Sequence, residues 1–263
     1  MTSNASRIPV LFVGHGSPMN AIEDNTWSRG FRDLAKLVPK PRTVLSISAH
    51  WFVGGTFTTG NEHPETIHDF GGFPDALFAM QYPAPGDVAL ARRVVNLLGD
   101  DRASVRSDWG LDHGTWTVLH HLLPNADVPV VQLSLDRNLA PEQHVALARN
   151  LAPLRDEGVL VLASGNATHN LRYAMRSYSS GDLSTPDWAM RFDRDVESAF
   201  TNHDSMGMAK LAATDEGRMA HPTLDHFLPM VYALGAADKN DKVTFPLSGF
   251  DLGSLSMRAA ILG

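Results

Sequence analysis

Short apolar, β-branched runs alternate with longer amphipathic stretches from one end of the chain to the other. The runs Ile8–Val13, Thr43–Ser48, Pro129–Leu135, Val159–Ala163 and Lys242–Pro246 predict strands, each apolar nearly throughout, as in strands buried on both faces of an α/β sheet. The clearest is VLVLASGN after RDEG, where Gly158 closes a helix in the left-handed conformation and the strand begins at once. Between the runs, apolar positions recur three and four apart. Asp87 opens one helix, with Leu90, Ala91, Val94, Leu97 and Leu98 as its buried stripe and Gly99 at its stop. Ala140-Pro141-Glu142 opens another, which Pro153 should bend or break. Thr185 as N-cap with Pro186 at the first helical position opens a third, whose Trp188, Phe192, Val196 and Phe200 share a face. A fourth is expected from Thr223, with Pro229 interrupting it. This alternation predicts a single α/β domain over residues 1–263, with a central mixed or mostly parallel sheet and helices on both faces.

Composition narrows the function classes. With 263 residues, 43% hydrophobic and 19% charged, the chain has the makeup of a self-folding globular domain. Lys and Arg number 22 against 29 Asp and Glu, a net charge of −7 that argues against binding a nucleic-acid backbone. There is no cysteine, which removes disulfides, thiolate metal sites and thiol nucleophiles, so any metal must be held by His, Asp or Glu. The apolar run at Ile8 is too short for a signal sequence or membrane span, and the cytoplasm is the expected location. The one unusual count is twelve histidines.

Three of them sit just past predicted strands: His15 after LFVG, His50 after TVLSISA, and His169 in SGNATH after VLVLA. Ligands bind at the carboxyl ends of strands in open α/β sheets, so three strands bring imidazoles to one edge. Imidazole suits Zn, Fe, Ni and Cu alike. MAHPTLDHFLP adds His221, Asp225 and His226; the two histidines are too poorly phased to share a helix face, so one of them is expected at a metal, with Asp225 and His226 a turn into the helix from Thr223. His113, in a Gly-flanked turn beside Trp109 and Trp116, suits a base or a hydrogen-bond donor to an aromatic substrate. His63 and His68 accompany a Gly- and Phe-rich loop that suits an aromatic pocket wall. His120 and His121 read as helix surface or core, and His144 and His203 as helix surface or helix ends. No nucleophile elbow, phosphate loop, dinucleotide fingerprint or H-E-x-x-H motif is present. On these residues alone, what remains is a metal centre of separated histidines in an α/β domain with aromatic loops nearby, with a Zn-dependent hydrolase and a non-catalytic metal-containing binding protein as alternative readings of it.

Eight motifs in order narrow this further: GHGSPM at 14–19, SAHW at 48–51, IHDFGGFP at 67–74, YPAPG at 82–86, DHGTW at 112–116, SGNATHNL at 164–171, HPTLDHFLP at 221–229 and GSLSMR at 253–258. Together they resemble the class III extradiol ring-cleavage dioxygenases of the DOPA 4,5-dioxygenase type. The resemblance implies a mononuclear non-haem Fe(II) centre, with Zn(II) able to occupy the site in purified protein. It implies a DOPA-like catechol and O2 as substrates and a muconate semialdehyde as product. By position it makes His15, His50 and His226 metal ligands, His169 a fourth ligand or the acid/base, and His113 the histidine that contacts substrate or moves a proton. His221 and Ser17 are further candidates for binding substrate. Many extradiol enzymes use two histidines and a carboxylate, and Asp225 is the residue that would take that place here.

Overall fold

The computed structural model describes residues 7–263. The strands in chain order are β1 (Val10–Gly14), β2 (Thr43–Val53), β3 (Thr56–Thr59), β4 (Ala103–Arg106), β5 (Val130–Asp136), β6 (Val159–Gly165), β7 (Val243–Leu247), β8 (Phe250–Asp251), β9 (Leu255–Ser256) and β10 (Ala259–Leu262). The helices are α1 (Thr26–Leu34), α2 (Asp75–Phe78), α3 (Val88–Leu98), α4 (His113–Leu122), α5 (Pro141–Arg149), α6 (Leu171–Ser180), α7 (Asp187–Thr201), α8 (Ser205–Leu211), α9 (Asp215–Ala220) and α10 (Leu228–Ala236).

Eight strands form one sheet in the order β4-β3-β5-β2-β6-β1-β10-β7. Its centre, β5-β2-β6-β1, is parallel, while β10 and β7 add antiparallel to one side. Successive side chains on a strand point to opposite faces, which divides the apolar runs between two cores. Val10, Phe12, Leu45, Ile47, Val159 and Val161 face α3, α5, α7 and α10; Leu11, Val13, Val44, Leu160 and Leu162 face α1 and α4. The α/β architecture with helices on both faces is therefore as the sequence predicts. Among the described residues, no helix is long and apolar enough to cross a membrane.

Several local readings change. β7 is an edge strand with half-exposed residues, which is where Pro246 can be accommodated without a ladder hydrogen bond. β2 runs on to Val53, so His50 lies inside the strand, in an irregular stretch after pairing with β6 ends at Ser48 and before pairing with β5 resumes at Phe52. Pro186 rather than Thr185 occupies the N-cap of α7, and no side chain caps it. The helix expected from Thr223 begins only at Leu228, where Pro229 fits the first turn and breaks nothing. Asp225 and His226 therefore sit in the turn before it. His113 is the first residue of α4, capped by the buried Asp112, rather than part of the preceding turn. His144 is fully buried between the Tyr232 hydroxyl and the Asp136 carbonyl, not on a helix surface.

Candidate metal centre

Gly14 and Gly165 end the neighbouring parallel strands β1 and β6, and Ser48 is where the pairing of β2 with β6 stops. His15 follows directly, its backbone N–H donating to the Gly165 carbonyl at 3.0 Å. Its ring Nδ1 lies 3.0 Å from Ser164 Oγ, and the Ser164 hydroxyl donates to the Gly114 carbonyl. The serine oxygen thus accepts from His15 Nδ1–H, and His15 Nε2 keeps its lone pair. His50 presents Nδ1 to Asp69 Oδ2 at 3.1 Å. An ionised carboxylate only accepts, so this ring also carries its proton on Nδ1. The two Nε2 atoms stand 3.1 Å apart. Two facing lone pairs would repel at this distance, so either one nitrogen carries a proton and donates to the other or a metal ion takes that proton's place. Imidazole nitrogens bind such metals at about 2.0–2.1 Å, which puts two ligand nitrogens about 3 Å apart, so the pair has the spacing of two ligands on one ion.

Three more imidazoles close around this pair. The His226 ring centre lies 5.2 Å from that of His15 and 5.0 Å from that of His50. Its Nδ1 is 3.2 Å from Asp225 Oδ1, which also accepts the His226 backbone N–H and the Thr223 hydroxyl. His169 stacks flat on His226 with ring centres 3.5 Å apart. His113 lies 3.8 Å from His50, ring to ring, and its Nδ1 is 3.0 Å from Asp69 Oδ1. Donor atoms of His15, His50 and His113 all fall within 4.8 Å of one another, a group that does not include His226, so by distance alone His113 is better placed than His226 to complete a triad. The structure thus gathers five histidines drawn from the residue after β1, β2, α4, the loop after β6 and the turn before α10.

Burial depresses the pKa of His15 and His226 well below the usual 6.5, with the neighbouring imidazoles adding to it. Burial brings His169 to about 4, and burial with the nearby His50 charge lowers His113 against the pull of Asp69. His50 goes the other way: burial pushes it down, but Asp69, Asp112 and Asp225 together raise it above 6.5. Asp69 resists burial and stays far below the usual carboxylate range because His113 and His50 face it. A stability prediction follows. His15, His113, His144, His169, His221 and His226 all titrate lower folded than unfolded, so below about 6.5 the unfolded chain binds more protons. The stability these neutral rings contribute is complete above about pH 6.5 and is lost as pH falls through it toward 4, each group counting up to about 1.4 kcal/mol per pH unit. His50 opposes the trend alone. Circular-dichroism melting of chelator-treated protein should show the melting temperature falling steeply from pH 7 to 5, and a flat profile over that range would contradict the assignment.

Residues 9–256 match the family described as the catalytic LigB subunit of aromatic ring-opening dioxygenase. The chain belongs to this family. The dioxygenase is 43% identical to the "4,5-DOPA dioxygenase extradiol" of Escherichia coli K12, over 99% of this chain and 96% of that one. It is 38% identical to the protein of the same name from Beta vulgaris, covering 94% and 93% respectively. A solved structure of an uncharacterized Escherichia coli K12 protein superposes with a TM-score of 0.84 at 39% identity, covering 98% of this chain and all of that one.

Within the dioxygenase, the GSLSMR segment acts as a strap behind two of the histidine-bearing loops. Ser256 N donates to the Thr168 hydroxyl at 2.9 Å, that hydroxyl donates to the Ser254 carbonyl at 2.6 Å, and Asn166 Nδ2 donates to the Ser256 carbonyl at 2.9 Å. Met257 fills the space beside Gly16, where an added Cβ would lie 2.5 Å from its sulfur. Arg258 and the Ser256 hydroxyl anchor the strap to Asp193 of α7. Gly114 makes a second close approach: a Cβ there would meet Ser48 Oγ at 2.5 Å and the His50 ring at 2.9 Å. The 67–74 loop packs Phe70 edge-on to His113 at 5.5 Å, with Phe73, Phe78, His68 and Trp116 around it. Trp109 instead stacks on Trp51.

The remaining sequence candidates are placed elsewhere. His221 turns inward between Phe192 and Phe227 and donates from Nε2 to the Ala167 carbonyl at 3.0 Å, which supports the His169 loop from behind. Ser17 caps a short 3-10 turn at Pro18–Ala21, its oxygen accepting from Met19 N. Asp69 and Ser164 had no assigned part in the sequence reading. The signal available for Asp69 was a carboxylate next to His68 in a motif otherwise aromatic and glycine-rich.

Proposed function

We propose that this protein is a non-haem Fe(II) extradiol dioxygenase that uses O2 to open the ring of a DOPA-like catechol to a muconate semialdehyde. The observation that carries the reading is the Nε2 atoms of His15 and His50 facing each other at 3.1 Å, inside a chain of the ring-opening family. His226 completes the ligand set in this reading, and the names of the relatives point to DOPA as the type of catechol. Fe(II), when bound, would supply the redox link between catechol and dioxygen. The chain's own residues do the rest. His169, neutral at pH 7, takes a catechol hydroxyl proton and returns it as the ring opens. His113 donates to or receives a proton from the substrate beside it, and Phe70 with its aromatic neighbours packs the ring and excludes water.

The test is anaerobic reconstitution with Fe(II), then L-DOPA and simple catechols in aerated buffer, with His169→Ala in parallel. One O2 consumed per catechol and a yellow product, both lost in the variant while metal is retained, are the expected results. Protein that carries Fe(II) yet consumes no O2 with any catechol would overturn the reading; turnover of esters or amides by the Zn(II) form would replace it with hydrolysis.

A further inference from the structure

We propose that Asp69 is a positioning residue that holds His50, His113 and the aromatic wall at Phe70 as one unit, and that it does so as a double acceptor rather than by filling space. The inference rests on the metal-centre reading above. Asp69 Oδ1 accepts the His113 backbone N–H at 2.9 Å and lies 3.0 Å from His113 Nδ1, while Oδ2 lies 3.1 Å from His50 Nδ1. One carboxylate therefore reaches a ring carried by β2 and the first residue of α4. Phe70, next in the chain, is edge-on to His113. The loop tip beyond it is open, since an added Cβ at Gly71 or Gly72 would touch nothing within 4 Å.

The chemistry demands a side chain that only accepts. The His113 backbone N–H cannot give up its proton, and a His50 that presents Nε2 toward His15 must keep its own on Nδ1. Asparagine has the same shape but satisfies only one of these donors. With its oxygen toward His113 N–H, its amide faces His50 Nδ1 and selects the tautomer protonated on Nε2, the nitrogen that faces His15. Turned the other way, its amide opposes the His113 N–H. Asp69→Asn should therefore harm the centre at least as much as Asp69→Ala, which removes an acceptor and imposes no wrong tautomer. The loop has independent supports in Ile67 N to Leu111 O, Trp116 Nε1 to Ile67 O and His68 Nε2 to Met80 O, so both variants should fold.

The experiment titrates wild type, Asp69→Asn and Asp69→Ala with Co(II) against a competing chelator, reading the visible absorption of the bound ion. Long-range 1H–15N spectra of the metal-free proteins read the His50 tautomer directly. Both variants should bind Co(II) about 10–100-fold more weakly, as expected when a partner orienting a metal ligand is lost. Asparagine should be no better than alanine, and the His50 proton should move to Nε2 in Asp69→Asn. In Fe(II)-saturated protein, KM for the catechol should rise in both, because His113 and Phe70 are released together. If asparagine binds Co(II) like wild type while alanine is weakened, Asp69 is a spacer and the proposal is wrong. Co(II) binding by wild type without catechol-dependent oxygen uptake would overturn the proposed function and still leave the affinity order to decide Asp69. Wild-type protein that binds no Co(II) would overturn both.

Discussion

His15→Ala should lose the bound metal and at least about 10³-fold of ring-opening activity, since a catalytic metal is worth several kcal/mol and each 1.4 kcal/mol is tenfold. His15 is the centre of the cluster: it is almost fully buried, its Nε2 is the atom 3.1 Å from His50, and its other nitrogen is committed to Ser164. Metal analysis of dialysed protein reads the first effect and oxygen uptake the second. His144→Ala is the control, because that imidazole is equally buried but packs on Tyr232 and should cost stability while leaving metal content unchanged. The same assay decides the third ligand. His226→Ala should behave like His15→Ala, whereas His113→Ala should keep the metal and lose turnover; the reverse order would move the third ligand to His113, whose donor atom falls within 4.8 Å of those of His15 and His50. Full metal occupancy in His15→Ala would remove the basis for placing the ion between His15 and His50.

The sequence was most legible where local chemistry alone decides the outcome. The runs at β1, β2, β5 and β6 are apolar on both faces because both faces are covered, and histidines just beyond such runs are carried to the same edge by parallel pairing. Gly158 behaves as its position suggests, taking φ 79° at the end of the turn before β6. What stayed hidden depends on partners far away in the chain. Ser164 fixes the tautomer of His15 across 149 residues, and nothing near either residue marks the pairing. His221 and His226 sit in one short motif with similar neighbours, yet one turns into the core against Phe192 and the other into the cluster. β3 and β4 are four residues each and carry too little apolar periodicity to stand out, and β10 is a short run of small and aliphatic residues at the chain's end. The eight motifs pointed to the family because they sample the loops where these distant contacts converge; they did not reveal the contacts.

Arg155→Met should destabilise the protein by about 3–5 kcal/mol, the cost of removing one member of a buried, hydrogen-bonded ion pair. Only 1% of the Arg155 side chain is exposed, and its guanidinium forks onto Asp241 at 2.6 and 3.1 Å. The same group donates to the carbonyls of Ile8 at 2.9 Å, Leu262 at 3.3 Å and Ala236 at 3.5 Å. It thus ties the entry to β1, the end of β10 and the end of α10 to one point. Methionine fills much of the volume but leaves the Asp241 carboxylate with only the Asp238 N–H and takes the guanidinium donor from three carbonyls in a site largely closed to water. For a chain of this size the melting temperature should fall by about 10 °C, from about 2–4 °C per kcal/mol. Asp241→Asn added to Arg155→Met should recover part of the loss by removing the stranded charge, which separates electrostatics from packing. Because the tie grips the amino end of β1 and His15 follows its carboxyl end, the fraction that stays folded should bind metal with wild-type stoichiometry. A loss below about 1 kcal/mol in urea unfolding would mean that water reaches these groups, and a variant that folds fully yet loses its metal would mean that the strand transmits the disturbance to the site.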